Sequence, residues 1–94
     1  MRLRNCCEDM IRDLYERSLE PNRRILAVFS KYETGRRILH EILRRYYRKG
    51  SRPVLSANGL CLAFPGGSSI EIVAREDQER LRGTRGMDVV PGRC

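Results

Sequence analysis

Apolar residues recur along this chain in two different periods, and each period marks one kind of element. Leu3, Cys7, Met10, Ile11 and Leu14 fall three or four positions apart, with Glu8, Asp9, Arg12, Asp13, Glu16 and Arg17 on the other side. That is the stripe of an amphipathic helix, expected from Asn5 to about Glu20 and ended by Pro21-Asn22. Asn5, with Glu8 three positions on, has the spacing of a capping box. The period then disappears: Arg24-Ile-Leu-Ala-Val-Phe-Ser30 is a continuous apolar run, suited to a strand covered on both faces. From about Thr34 to Arg48 the helical period returns in Ile38, Leu39, Ile42, Leu43 and Tyr46, with Arg37, Glu41, Arg44, Arg45 and Arg48 on the exposed side. Gly50 and Ser51-Arg52-Pro53 stop this second helix.

Past Pro53 the apolar runs shorten and turn residues separate them. Val54-Leu55, Leu60-Cys-Leu-Ala-Phe64 and Ser69-Ile-Glu-Ile-Val73 are punctuated by Asn58-Gly59 and Pro65-Gly-Gly67, which predicts short strands and a hairpin from Leu60 to Val73. Ala74 to Arg85 is a charged connection with room for one helical turn, and Met87 to Val90 is one more short strand. Pro91-Gly-Arg-Cys94 is expected to continue nothing. There is no internal repeat and no linker to divide the chain. The order helix, strand, helix, hairpin, strand predicts an α/β unit with three layers, two helices and a β-hairpin, forming a single small domain or a fragment of a larger one.

Charge narrows the classes of partner. The chain has 94 residues and a net charge of +7, from 17 Arg and 2 Lys against 12 acidic residues. Residues 1–20 hold four basic and five acidic side chains, so the surplus belongs to everything after the first helix. Such a surface attracts polyanions without reading sequence, and the planar fork of Arg suits phosphate. A GC-rich genome that writes Arg for Lys would give the same balance. Cys6, Cys7, Cys61 and Cys94 form no C-x-x-C pair, and with one His they complete no zinc set, so reduced thiols are expected. No apolar run is long enough to cross a bilayer, and no leader of the secretory type opens the chain.

The last third carries the sharpest signals: Phe64-Pro-Gly-Gly-Ser-Ser-Ile-Glu-Ile-Val-Ala74, then Arg80-Leu-Arg-Gly83, then Met87-Asp-Val-Val90. With the apolar strand from Arg24 and the helix after it, this order resembles the ATPase core of the large terminase subunits of tailed phages and herpesviruses, the P-loop motors that package viral DNA. The match runs from about Asn5 to Val90, and its most specific elements are Gly67-Ser-Ser-Ile70 and Arg82-Gly83. The resemblance implies part of a P-loop-type sheet, the stretch between the Walker A and Walker B motifs, with double-stranded DNA or a phage or host protein as partner. It implies a location in the host cytoplasm, or in the nucleus for a herpesvirus-type source.

Two departures bear on activity. The loop G-x-x-x-x-G-K-[ST] is absent, since Gly35 is the first glycine and neither Lys31 nor Lys49 follows one. Without that loop and its Lys nothing cradles the β- and γ-phosphates. The family's acidic pair is also missing, because Val90 is followed by Pro91-Gly-Arg-Cys94. One set of codons for those four residues, read one base out, gives Leu-Asp-Asp, so a frameshift would restore the pair. The expectation is a truncated, non-enzymatic packaging-ATPase core that uses no cofactor or metal. The alternative is a self-standing basic accessory protein of a phage or prophage that binds nucleic acid or inhibits a host nucleic-acid machine.

The candidate nucleic-acid contacts are Arg36, Arg37, Arg44, Arg45, Arg48 and Lys49 on the second helix, with Tyr46 or Tyr47 as a stacking surface, and Arg82 and Arg85 in the Arg-Gly loop beside Arg75 and Arg80. Basic residues at a helix end also favour the negative end of its dipole, and Glu76, Asp77 and Glu79 offset the loop. His40 is expected at a polar helix border; Cys6 or Cys7 with His40 lacks a third catalytic member. Glu71, between Ile70 and Ile72, is expected to point outward, and Cys61 to be a small strand residue.

Overall fold

The computed structural model describes residues 2–46, 53–80 and 86–92. In chain order they form α1 (Arg2–Ser18), β1 (Arg24–Phe29), α2 (Tyr32–Tyr46), β2 (Val54–Leu55), β3 (Cys61–Ala63), β4 (Ser69–Ala74), a short 3₁₀ helix (Arg75–Arg80) and β5 (Asp88–Pro91). The five strands make one mixed sheet in the order β2-β3-β4-β1-β5. β1 is its centre: it runs parallel to β4, with Ile25 opposite Ile70 and Phe29 opposite Ala74, and parallel to β5, with Ile25 opposite Asp88. The hairpins add β3 and β2 antiparallel, with Leu62 opposite Ile70 and Leu55 opposite Leu62.

Turn chemistry sets these registers. The Pro-Gly-Gly turn closes with Gly67 N–H donating to the Phe64 carbonyl at 3.0 Å and Phe64 N–H to that of Ser68 at 2.8 Å. Gly67 sits at φ 92°, which side-chain-bearing residues rarely adopt, and a Cβ there would meet Asn22 Oδ1 at 2.2 Å. Ser68 is buried and its hydroxyl links two segments, accepting from Arg23 N–H at 2.9 Å and donating to the Glu20 carbonyl.

Alternation along β1 explains its unbroken apolar run. Ile25, Ala27 and Phe29 face a core shared with Met10, Ile11 and Leu14 of α1, Ile38, Leu39 and Ile42 of α2, and Ile70 and Ile72 of β4. Leu26 and Val28 face the other way, into a smaller cluster with Val73 and Met87. Both faces of β1 are therefore buried, and each enclosed aliphatic side chain contributes about 1.5–3 kcal/mol.

Three expectations need correcting. Both helices pack on one face of the sheet and share that core, so the described residues make two layers instead of three; the apolar stripe of a helix says what it buries, not which side of the sheet it covers. α1 begins at Arg2, which puts Asn5 inside the helix and not at its cap. Pro91 extends β5, and Gly92 N–H donates to the Val28 carbonyl at 2.5 Å, so the segment after Val90 still pairs with the sheet. No helix among the described residues is long and apolar enough to cross a membrane.

Candidate functional site

The basic side chains assigned to α2 fall into two groups that the structure treats differently. Near the end of the helix Arg45 is consumed internally: its Nη1 donates to Glu8 Oε1 of α1 at 2.6 Å and its Nε to Glu41 Oε2 at 3.0 Å. Arg44 donates to the same Glu41 carboxylate. These contacts hold Glu41 below the usual carboxylate range, Arg44 contributing most and Arg45 next, and raise the pKa of Arg45 through Glu8 and then Glu41. Two arginines facing two carboxylates leave little net charge for a phosphate.

Near the start of α2 the arginines make no ion pair among the described residues. Arg37 is exposed, and Arg36 donates from Nε to the carbonyl of Asn58 at 3.1 Å, a neutral acceptor. Lys31 immediately precedes the helix and Arg75 immediately follows β4, and both are exposed. Because β1 and β4 end side by side at Phe29 and Ala74, Lys31, Arg75 and the first turn of α2 lie at one end of the sheet. Glu33 and Glu76 are exposed nearby, while Asp77 accepts from the Tyr32 hydroxyl at 2.6 Å. That hydrogen bond, and then burial, raise the pKa of the Tyr32 phenol. Arg48, Lys49, Arg82 and Arg85 lie outside the described residues, as do the side chains of Tyr46 and Arg80 and the whole of Tyr47. His40 is exposed on α2.

A second feature is invisible to spacing. A cavity of about 310 Å³ is lined by Leu26, Tyr32, Ser56, Asn58, Leu60, Cys61, Glu71, Ile72 and Val73. It gathers residues from β1, the start of α2, the β2–β3 turn, the first residue of β3 and β4. The turn is held from within: Ser56 Oγ donates to Asn58 Oδ1 at 2.7 Å and accepts from Cys61 N–H at 3.1 Å, and Leu60 N–H donates to Asn58 Oδ1 at 3.0 Å. Glu71 is the sole acid of the lining, with its side chain 43% exposed and Arg24 Nη2 4.0 Å away, and its carboxylate accepts no hydrogen bond among the described residues. Burial, then the neighbouring Glu71 charge, push the Cys61 thiol up, so it is protonated at neutral pH and is no activated nucleophile.

Asp88 is the third group of interest because it opens β5 and gathers two arginines. Its Oδ2 accepts from Arg17 Nη1 at 2.5 Å and from Arg23 Nη2 at 3.0 Å, and Arg17 Nε also donates to Asp13 at 3.0 Å. The Arg17 hydrogen bond, followed by that of Arg23, holds Asp88 below the usual carboxylate range. Asp88 thus ties β5 to the end of α1 and the start of β1, a structural task that spacing did not reveal. Among the described residues no group of three or more His, Cys, Asp or Glu side chains could hold a metal ion. Comparison with protein-family models, with curated proteins and with solved structures returns no match.

Proposed function

We propose that this chain is a terminase-like α/β unit that binds nucleic acid through backbone phosphates and performs no catalysis of its own. The observation that carries the reading is the set of cations near the start of α2: Arg36, Arg37, Lys31 and Arg75 make no ion pair among the described residues, although Glu33 and Glu76 lie nearby. Exposed guanidinium groups on one end of a rigid sheet neutralise phosphates and release counterions, which favours DNA of any sequence. The terminase part of the proposal draws support from the order of elements, in which the strand opened by Asp88 follows the charged connection and pairs in parallel with the apolar strand β1. The missing phosphate loop argues against nucleotide turnover.

A mobility-shift assay with duplex and single-stranded oligonucleotides tests the binding. The wild-type protein should shift both, the double variant Arg36→Ala/Arg37→Ala should lose most of the shift, and Arg44→Ala/Arg45→Ala should keep it. Purified protein should release no phosphate from ATP above buffer. A shift abolished only by the Arg44/Arg45 variant would place the contact at the other end of the helix and overturn the assignment.

One observation favours the second reading, a self-standing accessory protein. Each edge of the sheet formed by the described residues carries a proline: Pro53 directly precedes the two-residue β2, and Pro91 lies in β5. Gly92 N–H points to β1, so by the alternation of a parallel ladder the Pro91 nitrogen faces the open side, where a missing donor costs nothing and discourages strand addition. A domain that stands alone in this way melts in one transition as a monomer, whereas a sheet fragment aggregates.

A further inference from the structure

The cavity between the β2–β3 turn and the start of α2 has the chemistry of a base pocket. We propose that it receives an unpaired guanine base, with the Glu71 carboxylate accepting from the N1–H and N2–H₂ edge and a guanidinium outside the pocket meeting the attached phosphate. The inference rests on the nucleic-acid reading, from which it takes only the class of partner.

Size and lining set the class of ligand. About 310 Å³ is at the small end of ligand sites and accommodates one planar heterocycle. Leu26, Leu60 and Val73 supply apolar contact for a base face, and Tyr32 an aromatic wall whose hydroxyl is already anchored on Asp77. Glu71 is the lining's only charged group and its oxygens have unused acceptor capacity. A carboxylate offers two parallel acceptors, which match the paired donors on one edge of guanine; adenine presents an acceptor at the corresponding ring nitrogen. Outside the cavity, Arg24 lies 4.0 Å from Glu71 and Arg36 donates to Asn58, so a guanidinium neighbours each of two lining residues. An arginine side chain carries the same pair of donors, but a peptide rich in arginine would approach a protein of net charge +7 against repulsion.

Cys61 provides a reporter in the unaltered protein, because its thiol lines the cavity. Alkylation by iodoacetamide, read at Cys61 by peptide mass spectrometry, should slow in the presence of GMP and not of AMP or free arginine. Glu71→Gln, which replaces one acceptor by a donor, should weaken GMP protection by about tenfold or more. Arg36→Ala should weaken GMP more than it weakens guanosine, a split that general unfolding would not produce. Equal protection by GMP and AMP, protection by arginine alone, or an effect of GMP that survives Glu71→Gln would each overturn the pocket. If oligonucleotides still bind with salt sensitivity while GMP fails, the pocket is wrong and the nucleic-acid reading stands. GMP protection without any oligonucleotide binding would keep the pocket and remove that reading.

Discussion

Gly35 is the residue at which one atom decides how closely α2 approaches the sheet. A Cβ at that position would lie 2.2 Å from Ile72 Cγ2 and 3.1 Å from Ile72 Cβ. Ile72 is buried and β-branched, so it has little freedom to swing away. Gly35→Ala is therefore expected to destabilise the fold by about 1–3 kcal/mol through overpacking. The better helix propensity of Ala, worth at most about 1 kcal/mol, does not offset it. The midpoint of denaturant unfolding measures the balance, and an unchanged or higher midpoint would show that α2 can shift. Residue-scale reading from the sequence succeeded where local alternation governs: Glu71, flanked by the core residues Ile70 and Ile72, was expected on the outer face and lies opposite them, half-exposed at the cavity. It failed where a partner is distant in the chain, since nothing near Glu8 or Arg45 announces that they meet across 37 positions.

At the scale of elements, Asp88 shows how one carboxylate joins three of them. Its folded pKa is below its unfolded value, so its ion pairs add stability above about pH 4 and lose it as pH falls through the folded pKa. Asp88→Asn should cost about 1 kcal/mol at pH 7, the side chain being partly exposed, and should flatten the fall in stability as pH drops below about 4. Urea titrations of both proteins across that range check it; parallel curves would mean that other carboxylates dominate. The Arg44→Ala/Arg45→Ala pair belongs to the same scale. It removes contacts to Glu8 and Glu41 that are half-exposed, so melting should fall by only a few degrees. The elements themselves were legible because hydrophobic period and turn residues are local signals: β1, α2, the short strand at Val54-Leu55 and the hairpin of β3 and β4 lie within about two residues of their expected places. The placement of α1 was not. A stripe of Met10, Ile11 and Leu14 fits either face of a sheet, and Leu26 and Val28 are buried on the second face with no described α-helix packed there.

For the whole molecule, the distribution of charge matters more than its sum. The net +7 suggested a polyanionic partner, but spacing assigned Arg44 and Arg45 to the same surface as Arg36 and Arg37, and ion pairing separates them. The cavity was illegible for the same reason as the Asp88 knot: its walls come from β1, α2, the β2–β3 turn, β3 and β4, which only the folded topology brings together. The prolines at both edges predict a monomer with a single unfolding transition, checked by sedimentation and by coincident circular dichroism and fluorescence melts. A concentration-dependent mass or two separate transitions would point to an incomplete sheet.

The most direct test is a salt series of fluorescence-anisotropy titrations with a labelled oligonucleotide, for the wild-type protein and both double variants. The affinity of the wild type should fall steeply as salt rises. Its logarithmic slope should shrink by about 1–2 in Arg36→Ala/Arg37→Ala and stay unchanged in Arg44→Ala/Arg45→Ala. No binding at low salt, or a slope indifferent to Arg36 and Arg37, would contradict a phosphate-binding surface at the start of α2.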